Sequence, residues 1–287
     1  MVPADNVHLQ SAMTFQTTQP PFRFRQGTRP LLISMPHVGT HLPPALAQRL
    51  TDEARRVPDT DWHLERLYDF ADALGASVLV ATHSRYVIDL NRPPDGASLY
   101  PGQSVTGLCP VDLFDHQPLY RDPADEPDEA EIAQRRDAIW KPYHAQLVQE
   151  LARLREVHGV AALWDAHSIR SVVPRFFDGQ LPDLNLGTAN GSSCDPRLEA
   201  QLLAMGQQAK PFTTVLNGRF KGGHITRQYG NPSQGIHAVQ MELTQRSYMQ
   251  ESWPFEYLPD VAPAVQDHLR RMLEAMLAFV ESQGLVK

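Results

Sequence analysis

Short apolar runs alternate with helical stripes along this chain, and that alternation restricts it to few architectures. PLLISM (30–35), SVLVAT (77–82), VAALW (160–164) and AVQMEL (238–243) have the length and Val/Leu/Ile content of strands buried on both faces. Between them, Leu64, Leu67, Tyr68, Ala71 and Leu74 follow three-four spacing over 61–74. Ile132, Ile139, Tyr143, Leu147, Leu151 and Leu154 do the same over 128–157. Val261, Val265, Leu269, Met272, Met276 and Val280 mark a last amphipathic helix. Strands interleaved with helices predict a three-layer α/β domain. No period repeats along the 287 residues, which suit one domain, 1–287, with a core large enough to need neither metal nor disulfide merely to fold. The acidic stretch RDPADEPDEAE (121–131) reads as a surface loop leading into a helix, not as a domain boundary.

Charge and cysteine usage narrow the function. Lys and Arg number 26 against 33 Asp and Glu, a net charge of −7, which argues against nucleic-acid or membrane-surface partners. No apolar run approaches the roughly 18 residues of a membrane span. Cys109 and Cys194 are the only cysteines, so a disulfide framework and any CxxC site are excluded, and a reducing compartment fits. The opening MVPADNVHLQSAM lacks both a basic start and an apolar stretch. The expectation is a cytoplasmic protein.

The strands end in chemistry. The first runs into Pro36-His37, the third into Trp164-Asp165-Ala166-His167-Ser168, and the fourth ends in Glu242; the second leads through His83 and Ser84 to Arg85. In open α/β sheets ligands bind outside the carboxyl ends of strands, so these residues are expected to share one crevice. His37 and His167 are candidate metal ligands, because neutral imidazole is a common zinc ligand; a hydrogen-bonded core histidine is the competing role for each. A carboxylate ligand is sought in PDTDWHLERLYDF, where Asp59, Asp61 and His63 are spaced by two. Asp61 is preferred, although it also stands where a helix N-cap would. Glu242 sits in an otherwise apolar strand, where burial would raise its pKa toward the range useful for proton transfer. A salt bridge to Arg246 is the alternative.

Arginines 85, 92, 170, 175, 219 and 227 surround these segments, which suggests an anionic substrate gripped by guanidinium forks. SRYVIDLNRPP crowds Arg85, Asp89, Asn91 and Arg92 onto a predicted strand and its exit, with an Asp89–arginine pair as the plainer reading. GRFKGGHITRQYG (218–230), with four glycines and His224, reads as a loop able to approach a ligand closely, or as an ordinary flexible hairpin. HExxH, GxSxG, GxGxxG and GxxxxGK[ST] are all absent, and no serine has the frame of a nucleophile.

Taken in order, PHVGTHLP, DTDWHLERLY, SRYVIDLNRPP, DAHSI, LPDLNLGT, GGHITRQYG and MEL resemble the N-formylglutamate amidohydrolase (deformylase) family over roughly residues 30 to 245. The resemblance implies a phosphorylase/hydrolase-like α/β/α fold with a mixed sheet, related to zinc carboxypeptidases. It also implies one zinc ion, or another divalent metal, and hydrolysis of N-formyl-L-glutamate to formate and L-glutamate in histidine degradation. The carboxypeptidase relatives supply a metal ligand from HxxE, but Thr40 occupies that position here. The third ligand is therefore expected from Asp61, with Asp59 or His63 as alternatives. Glu242 falls where those relatives carry their general base, taking a proton from metal-activated water. Arg85, Arg92 and Arg227 are the candidates for the substrate carboxylates, with Asn91 and His224 as further binding residues. A broader zinc amidase acting on other N-acyl acidic amino acids, or a non-catalytic binder of acidic metabolites, are the competing functions. Oligomeric state is not encoded in any motif.

Overall fold

The computed structural model describes residues 15–99 and 102–284. The opening segment that bears on targeting lies outside them. In chain order the strands are β1 (Phe22–Arg25), β2 (Leu31–Met35), β3 (Ser77–Ala81), β4 (Ala161–Ile169), β5 (Leu184–Gly187), β6 (Thr214–Leu216) and β7 (Ile236–Thr244). The helices are α1 (Pro44–Arg49), α2 (Leu64–Leu67), α3 (Glu129–Arg135), α4 (Lys141–His158), α5 (Pro196–Gln208), α6 (His224–Tyr229) and α7 (Ala262–Gln283).

The seven strands form one sheet in the order β1-β3-β2-β4-β7-β5-β6. β3, β2, β4 and β7 run parallel, whereas β1 and the β5–β6 pair oppose them, so the sheet is mixed. Strand alternation separates two apolar layers. Ile33, Trp164, Val239 and Met241 point into the core packed by α5 and α7. Leu32, Leu163 and Ala238 point the other way, into the core packed by α4 and residues 86–120. The result is the expected α/β/α arrangement.

The long helices follow their stripes. Tyr143, Leu147, Leu151 and Leu154 are buried along α4, and Val265, Leu269, Met272, Met276 and Val280 along α7. Asp128 caps α3 by accepting from the Glu131 N–H, and Asp195 caps α5 ahead of Pro196. A π-helical turn, Arg136–Trp140, joins α3 to α4.

Several expectations need correction. The helix expected over 61–74 is only the four-residue α2 followed by a 3₁₀ turn, Asp69–Ala71. His63, at φ 62°, is left-handed and blocks an earlier start, so Asp61 is not a helix cap. SRYVIDLNRPP is a chain of turns rather than a strand. Its carbonyls are taken by helix side chains, with His144 Nε2 at 2.8 Å from the Leu90 oxygen and Trp140 Nε1 at 3.0 Å from that of Arg92. β4 continues to Ile169, so His167 lies within the strand and not beyond it. The 218–230 segment contains α6 and is no simple hairpin.

Candidate functional site

The carboxyl ends of β2, β3, β4 and β7 lie along one edge of the sheet, and the polar residues gather there. In β4 and β7, Trp164, Ala166, Val239 and Met241 keep one face apolar, while Asp165 and His167 pair in register with Gln240 and Glu242 on the other. Adjacent strands are about 4.8 Å apart, so this register alone sets His167 beside Glu242. His37 follows β2. The loop after it turns back tightly against the exit of β3, since a Cβ at Gly39 would lie 2.2 Å from the His83 carbonyl oxygen. Asp61 is fastened to the same loop, its N–H donating to the His37 carbonyl at 3.0 Å.

His37, Asp61 and His167 each offer a ligand atom within 4.8 Å of the others, and all three are buried. Asp61 Oδ2 lies 3.1 Å from His167 Nδ1 and 3.8 Å from His37 Nδ1. The far nitrogens face carboxylates: His37 Nε2 is 2.7 Å from Asp89 Oδ1, and His167 Nε2 is 3.2 Å from Asp165 Oδ1. Two imidazoles and a carboxylate, with Asp89 bonded to the outer nitrogen of His37 and Asp165 near that of His167, is the donor set of a site able to hold a divalent cation. Asp59 and His63 stand apart from it. Asp59 accepts from the Tyr86 hydroxyl and the Phe114 N–H and pairs with Arg170, while His63 Nε2 bonds the Phe255 carbonyl.

Electrostatics differ sharply between neighbours. Burial, reinforced by Arg85, lowers the pKa of His37. Burial also opposes charge on His167, but Asp165 and Asp61 outweigh it and raise that pKa well above the usual imidazole value. Asp89 stays well below the usual carboxylate range despite burial, because Arg92, His37 and Arg85 favour its charge. Glu242 is pushed up to about 8, chiefly by burial, with His167 pulling down and Asp61 pushing up. It makes no pair with Arg246, which reaches Asp183 at 2.6 Å instead.

A cavity opens over these groups, lined by His37, His167, Glu242, Arg85, Asn91, Arg92 and Arg219 among others. Arg85 donates to Asp89 Oδ2 at 2.7 Å and leaves its buried Nε unbonded. Arg92 is turned toward Thr106, bonding both its carbonyl and its hydroxyl. Asn91 reaches inward, with Nδ2 2.9 Å from His167 Nε2 and 3.3 Å from Asp165 Oδ2. His224 and Arg227 are not part of the lining. α6 turns His224 into a ring cluster with His144 and Trp140, and Arg227 Nε donates to the Gly222 carbonyl.

Sequence reasoning passed over Gln240, although its offset of two from Glu242 puts both on one strand face. It named Arg219 without assigning it a role. In the fold, Arg219 is held by the carbonyls of Phe176 and Ser104 and lies over the rings of Phe176 and Phe220.

Fold and site define the class first: an α/β enzyme whose crevice combines a high-pKa carboxylate with residues able to hold a cation. The family model for N-formylglutamate amidohydrolase matches residues 29–249. N-formylglutamate deformylases of Pseudomonas aeruginosa and Pseudomonas putida are 55% and 54% identical over 256 residues, covering 89% of this chain and 96% and 95% of theirs. The solved N-formylglutamate amidohydrolase of Ralstonia eutropha JMP134 matches with a TM-score of 0.78 at 24% identity, over 92% of this chain and all of that one, a likeness of fold. The chain belongs to the N-formylglutamate amidohydrolase family and is an amidohydrolase. No helix among the described residues is long and apolar enough to cross a membrane.

Proposed function

We propose that this protein hydrolyses N-formyl-L-glutamate to formate and L-glutamate, as a single catalytic domain acting in the cytoplasm in histidine degradation. The observation that carries the reading is Glu242, buried and in register beside His167 of the His37/Asp61/His167 cluster, in an arginine-lined cavity. The names of the Pseudomonas relatives support the substrate. A zinc ion held by His37, Asp61 and His167 would supply Lewis acidity to water and to the formyl oxygen.

The chain's own residues do the rest. Asp89 engages the outer nitrogen of His37, Asp165 lies 3.2 Å from that of His167, and Asp61 faces Nδ1 of both rings. Glu242 takes a proton from water as its oxygen adds to the formyl carbon. It returns that proton to the amide nitrogen as the C–N bond breaks, so formate and the free amine leave. Arg85 and Arg92, both on the cavity lining, hold the carboxylates of the substrate, and Asn91 reaches His167. A substrate lacking one carboxylate would forfeit one charge-assisted contact, which is how such a site discriminates.

Formate release from N-formyl-L-glutamate, measured beside N-acetyl- and peptidyl-glutamate, tests the assignment. A strong preference for the formyl compound is expected, and equal rates would defeat it. Glu242→Gln is expected to lower kcat by about 100-fold or more; full activity in that variant would remove the base.

A further inference from the structure

The glycine-rich turn before α6 and the residue two before Glu242 share a set of hydrogen bonds that the reaction above leaves unused. The Gly223 N–H donates to Gln240 Oε1 at 2.7 Å. A backbone N–H can only donate, so it fixes which end of the Gln240 amide faces it. The other end, Nε2, therefore faces Glu242 and donates to its Oε2 at 3.2 Å. Gln240 is buried and lines the cavity with Glu242.

The turn itself cannot drift. A Cβ at Gly223 would lie 2.3 Å from Asn91 Nδ2, so only glycine allows this backbone to pass between Asn91 and Gln240. Two residues on, the Ile225 N–H donates to Asn91 Oδ1 at 2.8 Å and turns that amide's nitrogen toward His167. One short stretch of backbone thus orients two side-chain amides, one toward a histidine of the cluster and one toward the glutamate.

We propose that Gln240, oriented by the Gly223 N–H, is a positioning residue for Glu242. It occupies Oε2 with a donor, which leaves Oε1 to receive the proton and holds the carboxyl plane in one orientation. This deepens the reading of Glu242 as general base and rests on it. The 218–230 segment thus contributes backbone N–H groups to the site, through Gly223 and Ile225.

The test compares Gln240→Met, of similar shape but without the amide, with Gln240→Leu, which also lacks the amide donor. Steady-state turnover of N-formyl-L-glutamate and zinc content are measured in the holoenzyme, next to Glu242→Gln. Both Gln240 variants are expected to lose about tenfold or more in kcat, the scale of one hydrogen bond to a charged group. KM is expected to stay within about twofold, because Gln240 acts on the base and not on substrate binding. Zinc content is expected to match the parent. Unchanged kcat in both variants, or a loss confined to KM, overturns the role of Gln240. If Glu242→Gln is inactive while the Gln240 variants match the parent, only this proposal fails; an active Glu242→Gln sinks the general-base reading itself. Should one Gln240 variant not fold, the other carries the comparison.

Discussion

Asp89 illustrates how much one residue can be asked to hold. Its Oδ1 takes His37 Nε2 and the Asn91 N–H, and its Oδ2 takes Arg85. Removing its charge while keeping its shape should therefore disturb the proposed ligand His37 and the proposed substrate-binding Arg85 together. Asp89→Asn is expected to weaken zinc binding about 10- to 100-fold, the usual scale for an outer partner of a ligating histidine. Competition against a calibrated chelator measures this, and unchanged affinity would mean that His37 is not a ligand. At this scale the sequence was informative about identity and, apart from the Asp89–arginine pair, silent about partnership. His37, Asp61, His167 and Glu242 are recognisable as acids and imidazoles near strand ends. That Asp61, and not Asp59 two residues earlier, meets the histidines depends on a left-handed His63 and on the Asp61 N–H bonding back to His37.

Among the elements, α4 is notable for reaching over the site loop. Trp140 and His144, one turn apart across the end of the π-helical stretch, bond the carbonyls of Arg92 and Leu90, and Tyr229 of α6 lies 2.7 Å from His144 Nδ1. Trp140→Phe keeps the ring and loses the indole donor. A stability loss of about 1 kcal/mol is expected from one such bond, read from the urea midpoint. On the opposite layer, Leu269 is fully buried along α7, and Leu269→Ala is expected to cost about 2–5 kcal/mol with no change in KM. The long elements were visible because their apolar period runs over many residues, as in α4 and α7. The four-residue β1 and β5 and the three-residue β6 escaped, since so short a segment carries no period to detect.

For the whole molecule, buried neutral histidines contribute to acid sensitivity. Burial lowers the pKa of His144 to about 3 and that of His83 to about 4, both below the ordinary 6.5. The unfolded chain binds these protons first, so stability is full above about pH 6.5 and falls progressively as pH drops toward about 4 and then 3. Urea unfolding at pH 7.5 and pH 5 measures the difference, and His144→Gln is expected to flatten it. An equal slope in that variant would place the acid sensitivity elsewhere. The sequence by itself determined the layered α/β plan and the residue types of the site, because hydrophobic period and strand-end chemistry are local properties. Only the tertiary structure decided which carboxylate faces the histidines, which arginines line the cavity, and that Gln240 stands against Glu242. Those depend on strand register and on turns in left-handed or glycine-only conformations, which bring together residues that no local pattern connects.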